Sequence, residues 1–150
     1  MSNQKTNLDG YRVVLGSWQE HAEAAAAIRH EVFVQEQQVP VEEEMDERDA
    51  VCTHALVYAP DGRAAATGRL LPDGHIGRMA VRKEFRGKGV GALLLGALVD
   101  EARRRGHLQV ALAAQIHARD FYARQGFVAE GPVFKDAGID HVGMRRVLTA

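Results

Sequence analysis

Two Pro-Asp-Gly triplets, at residues 60–62 and 72–74, constrain the folding of this chain more than any other sequence feature. Proline presets the φ angle of a turn and glycine accepts a positive φ, so each triplet is typical of a tight turn between antiparallel strands. Strand-like segments flank the two turns, at 53–58, 63–71 and 75–81. We therefore expect a three-stranded antiparallel meander in the middle of the chain.

Helical patterns lie on both sides of this meander. On the N-terminal side, Tyr11–Leu15 predicts a strand, and the spacing of Ser17 and Glu20 fits a capping box before a helix from His21 to about Val34. On the C-terminal side, the apolar period predicts an amphipathic helix over Val90–Arg105. The remaining predicted elements are a strand at Leu108–Ala113, a helix at Ile116–Arg124, and strands at Phe127–Glu130 and His141–Val147. The fold class is therefore mixed α/β (α+β).

Length and charge exclude several classes of protein. The chain has 150 residues, of which 46% are hydrophobic, and this suits one compact domain with a loose lead-in at residues 1–10. Nineteen Lys and Arg against 20 Asp and Glu argue against a nucleic-acid partner. No apolar run reaches the about 20 residues that a membrane-spanning helix needs. Cys52 is the single cysteine and the N-terminus lacks a signal-peptide core, so we expect a cytoplasmic protein without disulfides.

The most informative segment joins the third meander strand to the long helix. It contains the run Arg86-Gly87-Lys88-Gly89-Val90-Gly91. Unpaired N–H groups at a helix N-terminus carry partial positive charge, and glycines let a ligand approach the backbone, so such a loop is suited to phosphate. Basic side chains surround it at Arg82, Lys83, Arg86 and Lys88.

Four interpretations of this loop compete. A Walker A loop needs Ser or Thr after Gly-Lys, and Gly89 occupies that position. A Rossmann fingerprint is formally met by Gly87, Gly89 and Ala92, but its strand emerges from hairpins and no acidic residue ends the next strand. A plain connector would not need three glycines in five residues. The remaining interpretation is the pyrophosphate loop of a protein that binds acyl-CoA.

The chain resembles the GNAT (GCN5-related) N-acetyltransferase family over nearly its whole length. Arg86–Gly91 matches the family motif Q/R-x-x-G-x-G/A, and the strand Met79-Ala80-Val81 precedes it. Gln115 stands in the second family signature where asparagine is commoner. The other matches to that signature are Ala118, Phe121, Tyr122, Gly126 and Phe127. Similarity to the ElaA/YjcF-like branch rests on Val32–Gln37, Val39-Pro40, Glu44, Asp46, Asp49, His54, Gly138-Ile139, His141 and Met144.

The resemblance implies a fold, a cosubstrate and a reaction. The fold would be the GNAT acyl-CoA N-acyltransferase fold over residues 1–150, a mixed, mostly antiparallel sheet flanked by helices. Acetyl-CoA would lie between the fourth and fifth strands, and an amine would attack its thioester directly. The residues implied to bind acetyl-CoA are Met79, Ala80, Val81, Arg86, Gly87, Lys88, Gly89, Val90, Gly91, Gln115 and Tyr122.

The resemblance also implies catalytic residues. Tyr122 would protonate the leaving thiolate or contact its sulfur; the alternative is a core aromatic residue. An ammonium group must lose a proton before it can attack, and Glu36, His54, His141 or a water chain could accept that proton. No residue pair shows dependable metal-ligand spacing, so we expect no metal. Cys52 is expected to be a small buried residue.

The acceptor is expected to be an amine of a small molecule or a peptide. We expect no nucleic-acid partner and no membrane partner, and the chain could form a homodimer. Residues 35–50 are predicted to form a loop with a short helix, and six carboxylates crowd into Glu42–Asp49. These carboxylates either attract a cationic acceptor or form a solvated charged loop. The alternative function is a non-catalytic acyl-CoA-binding sensor or regulatory module.

Overall fold

The strands and helices follow the predicted order, in a computed structural model that describes residues 8–148. Most of the expected lead-in, residues 1–7, lies outside the described part of the chain. The strands are β1 Arg12–Gly16, β2 Thr53–Tyr58, β3 Ala64–Leu70, β4 Ile76–Val81, β5 Gln109–Gln115, β6 Val128–Asp136 and β7 Ile139–Val147. The α-helices are α1 Trp18–Arg29, α2 Val41–Glu44, α3 Val90–Arg104 and α4 Arg119–Arg124. A π-helical segment follows α1 at His30–Glu36, and 3-10 turns lie at Glu47–Val51, Lys83–Phe85 and Ile116–Ala118.

The two Pro-Asp-Gly triplets form the predicted hairpins. Gly62 and Gly74 take φ angles of 90° and 95°, which only glycine adopts without strain. The hairpins join β2, β3 and β4 into an antiparallel sheet, and β1 adds to the free edge of β2. The predicted meander is therefore confirmed.

Helices cover both faces of this sheet. Along β2, Ala55 and Val57 belong to the core beneath α3, whereas Leu56 packs in the cluster beneath α1. This alternation follows from the two-residue period of a strand. The buried face of α3 consists of Val90, Leu94, Leu95, Leu98, Val99 and Ala102. Each fully buried leucine contributes about 1.5–3 kcal/mol, so this face is a large part of the stability of the fold.

A second sheet holds the C-terminal third of the chain, in the strand order β5-β7-β6. β4 and β5 run in the same direction and meet at one parallel bridge, His75–Ala111, where the Ala111 N–H donates to the Gly74 carbonyl over 3.3 Å. Beyond this bridge they belong to different sheets. The two strands therefore separate towards their C-terminal ends and leave a V-shaped gap.

Two elements differ most from the predicted boundaries, and the helix predicted over Ile116–Arg124 begins with a 3-10 turn at Ile116–Ala118. The helix predicted from His21 to Val34 begins earlier, at Trp18, because the Ser17 capping box places its first turn there, and its last part is π-helical. The strand predicted to end at Glu130 continues to Asp136. Gly131-Pro132 looks like a strand breaker, yet the structure accommodates it as a register irregularity on the edge strand β6.

Candidate active site

A cleft with a volume of about 1030 Å³ occupies the gap between β4 and β5. Its walls are β4, the loop after β4, β5, α4, the π-helical segment and the β6–β7 hairpin.

The described residues contain no cluster of three or more His, Cys, Asp or Glu side chains that could hold a metal ion. Over residues 8–148, no helix is long and apolar enough to cross a membrane.

The glycine-rich loop leaves the N-terminus of α3 open towards this cleft. Gly87 and Gly89 have φ angles of 77° and 91°. Gly89 is the N-cap residue of α3, and no side chain of the described residues forms a capping hydrogen bond there. A Cβ at Gly87 would meet no atom within 4 Å. By contrast, Ser17 and Glu20 cap α1 through two hydrogen bonds of 2.8 and 3.2 Å. The first N–H groups of α3 are therefore the kind of uncapped donors that bind an anion.

Two of the four basic side chains around the loop are engaged within the protein. Arg86 forms a bidentate ion pair with Glu36, with both N–O distances 2.7 Å. Arg82 donates to the Ala64 carbonyl over 2.8 Å and lies 3.1 Å from a carboxylate oxygen of Glu31. Lys83 and Lys88 are exposed and have no ion pair within the described part of the chain. These two lysines are therefore available to an incoming phosphate.

A β-bulge distorts β4 on the wall of the cleft. The register with β3 shifts between Thr67 and Arg69, and Arg78 has a φ of 50°, a strained angle for a residue other than glycine. A Cβ at Gly68, opposite the bulge, would lie only 2.9 Å from a Leu98 methyl and 3.1 Å from Met79 Cγ. Gly68 thus lets Met79 pack at this point. The sequence analysis missed the bulge, although a glycine within a strand is a signal for one.

Tyr122 projects its hydroxyl towards sulfur on the wall of the cleft. The Tyr122 Oη donates to Met79 Sδ over 3.7 Å. Phe121 and Phe127 hold the ring edge-on, with centroid distances of 5.1 and 5.9 Å. Burial raises the pKa of Tyr122 to about 12, so the hydroxyl keeps its proton at neutral pH. The group can therefore donate a proton or a hydrogen bond to a sulfur atom.

His141 lies in the cleft with its tautomer fixed by the backbone. Its Nδ1 is 2.7 Å from the Ile139 carbonyl oxygen, which can only accept a hydrogen bond. Nδ1 therefore carries the proton, and in the neutral ring Nε2 keeps a lone pair. Phe134 stacks on the ring at a centroid distance of 5.9 Å. His141 is thus arranged as a proton acceptor.

The other two candidate bases have different surroundings. Glu36 lines the cleft, but its hydrogen bonds to Arg86 lower the pKa of its carboxyl group and make it a weaker base. His54 is 1% exposed, lies against Trp18, and its Nε2 is 2.9 Å from the Asp49 carbonyl oxygen. Burial lowers the pKa of His54. The structure does not bring His54 to the cleft.

The acidic stretch is partly built into the protein interior and partly exposed. Glu44 and Asp49 are buried and bind Arg29, and Asp49 also lies 2.8 Å from Arg69. Asp46 lies 2.8 Å from Arg69 as well. Burial alone would raise the pKa values of Asp46 and Asp49, but the hydrogen bonds from arginine outweigh it and lower them. Three of the six carboxylates are therefore tied to arginine, whereas Glu42, Glu43 and Glu47 are exposed, and Glu43 and Glu44 line the cleft.

Cys52 is buried, as expected, and burial raises the pKa of its thiol.

Gln115 lines the cleft at the end of β5, where its amide pairs with the amide of Gln37. Gln37 was not predicted to be a site residue. It lies in the segment 35–50 that was predicted to be a loop, where the sequence carries no signal of a contact with β5.

Comparisons with known proteins agree with this architecture. A family model described as an acetyltransferase (GNAT) domain matches residues 18–148. The uncharacterized N-acetyltransferase YjcF of Bacillus subtilis is 36% identical over 138 residues, which is 90% of this chain and 99% of YjcF. An acyl-CoA N-acyltransferase from Pseudomonas aeruginosa has a similar structure, with a TM-score of 0.81, 33% identity and coverage of 91% and 99% of the two chains. Escherichia coli ElaA gives a TM-score of 0.80 at 28% identity, with the same coverage.

Proposed function

Because the chain belongs to the GNAT acetyltransferase family, we propose that it transfers an acetyl group from acetyl-CoA to an amine of a small molecule or a peptide. One observation carries this proposal. A single cleft joins the uncapped N-terminus of α3 to the Tyr122 hydroxyl and to His141. The similarity to an acyl-CoA N-acyltransferase supports the choice of donor.

The donor would lie along β4 with its diphosphate on the glycine-rich loop. The free N–H groups at the start of α3 would bind the diphosphate, and the open space at Gly87 would admit it. Met79, Ala80 and Val81 would line the pantetheine arm, with Leu112 to Gln115 on the opposite wall. Exposed Lys83 and Lys88 would bind the 3′-phosphate of the adenosine or neighbouring phosphate oxygens.

The residues in the cleft supply both proton transfers that the reaction needs. His141 Nε2 would accept the proton of the acceptor amine, whose nitrogen then bonds to the thioester carbonyl carbon. As the carbon–sulfur bond breaks, the leaving thiolate would take the Tyr122 proton, and the second proton of the newly bonded nitrogen would pass through solvent to the Tyr122 oxygen. The Tyr122 hydroxyl, which donates to Met79 Sδ in this structure, would exchange that contact for the thiolate sulfur. No covalent acetyl-enzyme is required.

A screen for acetyl transfer over a panel of amines, followed by CoA release, tests this function. We expect release that depends on one class of amine and a CoA affinity that NAD does not reduce. CoA binding without transfer to any amine would indicate the non-catalytic sensor. Competition by NAD would instead indicate a nucleotide-binding oxidoreductase.

A further inference from the structure

Gln37 and Gln115 form a reciprocal amide pair across the cleft. Gln37 Nε2 donates to Gln115 Oε1 over 3.2 Å, and Gln115 Nε2 donates to Gln37 Oε1 over 2.9 Å. Both side chains are half-buried and line the cleft. Gln37 follows the π-helical segment, whereas Gln115 ends β5, so the pair connects two separate walls.

The backbone around Gln37 is held in place by two contacts. Its N–H donates to the Val32 carbonyl over 3.0 Å, a bond that spans five residues as in a π-helix. Two residues further on, the Val39 N–H donates to the Phe33 carbonyl over 2.8 Å. Gln37 therefore presents its amide from a fixed support.

Gln115 needs such a partner more than a shorter side chain would. Glutamine has one more rotatable bond than asparagine, and ordering a long polar side chain costs up to about 2 kcal/mol of conformational free energy. The two hydrogen bonds between Gln37 and Gln115 remove most of this freedom before any ligand arrives. They use one N–H and one oxygen lone pair of each amide, which leaves one of each free.

We propose that Gln37 is a positioning residue that orients the Gln115 amide to bind the amide-bearing pantetheine arm of the donor. The free N–H of Gln115 can donate to the carbonyl of a ligand amide, or its free lone pair can accept from a ligand N–H. This inference rests on the proposed function, because it takes the donor to be an acyl-CoA.

Calorimetric titration with two ligands tests the inference without an acceptor amine. CoA carries the pantetheine arm, whereas adenosine 3′,5′-bisphosphate lacks it. The variants are Gln37→Met, Gln115→Met and the double variant, since methionine keeps the length of the side chain and removes the amide. Gln37→Asn serves as a second variant, because its amide is too short to reach Gln115. Gln35→Met, on the same segment but exposed and outside the cleft, is the matched control.

We expect each single variant to weaken CoA binding about five- to tenfold, and the double variant to be no weaker than Gln115→Met, as for two residues that act as one unit. Binding of adenosine 3′,5′-bisphosphate should not change in any variant. The KM for acetyl-CoA should rise while kcat stays close to that of the wild type.

Several results would overturn the inference. Additive losses in the double variant would mean that Gln37 does not act through Gln115. Equal losses for both ligands would reveal a general disturbance of the cleft, and normal CoA binding by Gln37→Met and Gln37→Asn would remove the role of Gln37. A wild-type chain that does not bind CoA would overturn the proposed function first, and this inference with it.

Discussion

Glu36 and Arg86 face each other across the mouth of the cleft in a bidentate ion pair, with both N–O distances 2.7 Å. Each side chain is 40% exposed, so solvent screens the pair and its contribution to stability is at most about 1 kcal/mol. Its position next to the glycine-rich loop suggests a larger effect on ligand binding. Glu36 cancels the charge of the arginine where a diphosphate would bind.

We expect Glu36→Gln to bind CoA at least as tightly as the wild type, because Arg86 then keeps its full positive charge. Affinity should also depend more steeply on salt concentration, and kcat should be retained, since Arg86 makes Glu36 a weak base. Titration with CoA at two ionic strengths and steady-state kinetics measure these effects. A collapse of kcat would identify Glu36 as the base.

Gly91→Asp should weaken CoA binding strongly without destabilising the fold. Gly91 is the second residue of α3, and its Cβ would meet Phe121 at an ordinary contact distance of 3.5 Å. A carboxylate at this position stabilises the helix by about 0.3–1 kcal/mol through the helix dipole, but it repels the diphosphate. We expect Kd to rise at least tenfold, which corresponds to ~1.4 kcal/mol.

Gly91→Ala is the matched control for this variant. It adds the Cβ without the charge, so CoA should bind nearly as well as to the wild type. Equal losses in the two variants would assign the effect to space near Phe121 rather than to charge.

Tyr122→Phe should lower kcat by about 100-fold or more, the usual contribution of a general acid. CoA binding should change little, because the ring and its contacts with Phe121 and Phe127 remain. Since the pKa of Tyr122 is raised to about 12, its proton stays in place, and the wild-type rate should not fall with Tyr122 ionisation until the pH approaches that value. A fully active variant would leave Tyr122 as a packing residue.

His141→Gln should reduce kcat by about 100-fold while CoA affinity stays close to that of the wild type. Glutamine can still donate to the Ile139 carbonyl, but it cannot accept a proton from the acceptor amine. Steady-state kinetics and calorimetric titration with CoA measure the two effects. A variant with unchanged kcat would indicate a water chain as the base.

His54 should make the protein less stable in mildly acidic solution. Burial lowers its folded-state pKa below the ordinary 6.5, so the unfolded chain takes up a proton first as the pH falls. Stability is therefore fully present above pH 6.5 and declines below it. Urea unfolding at pH 7.5 and pH 5.5 should show this loss in the wild type and a smaller loss in His54→Gln. If the free energy of unfolding falls equally in the wild type and in His54→Gln, His54 is excluded as the cause.

Features set by local sequence were predictable. The Pro-Asp-Gly turns and the capping box at Ser17 each depend on a few adjacent residues, and all of them form as expected. The glycine-rich loop and Tyr122 were found in the same way, because their motifs are contiguous. The structure places both in one cleft.

Features set by distant contacts were not predictable. Arg29 and Arg69 bind Glu44, Asp46 and Asp49 of the acidic stretch in a largely buried network, and neither arginine is near the stretch in the sequence. The burial of His54 and the pairing of Gln37 with Gln115 depend in the same way on how separate elements meet. Charge and hydropathy patterns describe one segment at a time, so they do not reveal such partners.

The irregular edge strand β6 has a consequence for the protein at high concentration. All nine of its residues are exposed, including the apolar Val128, Val133 and Phe134. A regular apolar edge of this length would offer a template on which further chains could stack and aggregate. Pro132 lacks an N–H group, and the register irregularity between Glu130 and Phe134 interrupts the row of backbone donors. β6 thus carries its own protection against aggregation through edge-to-edge stacking.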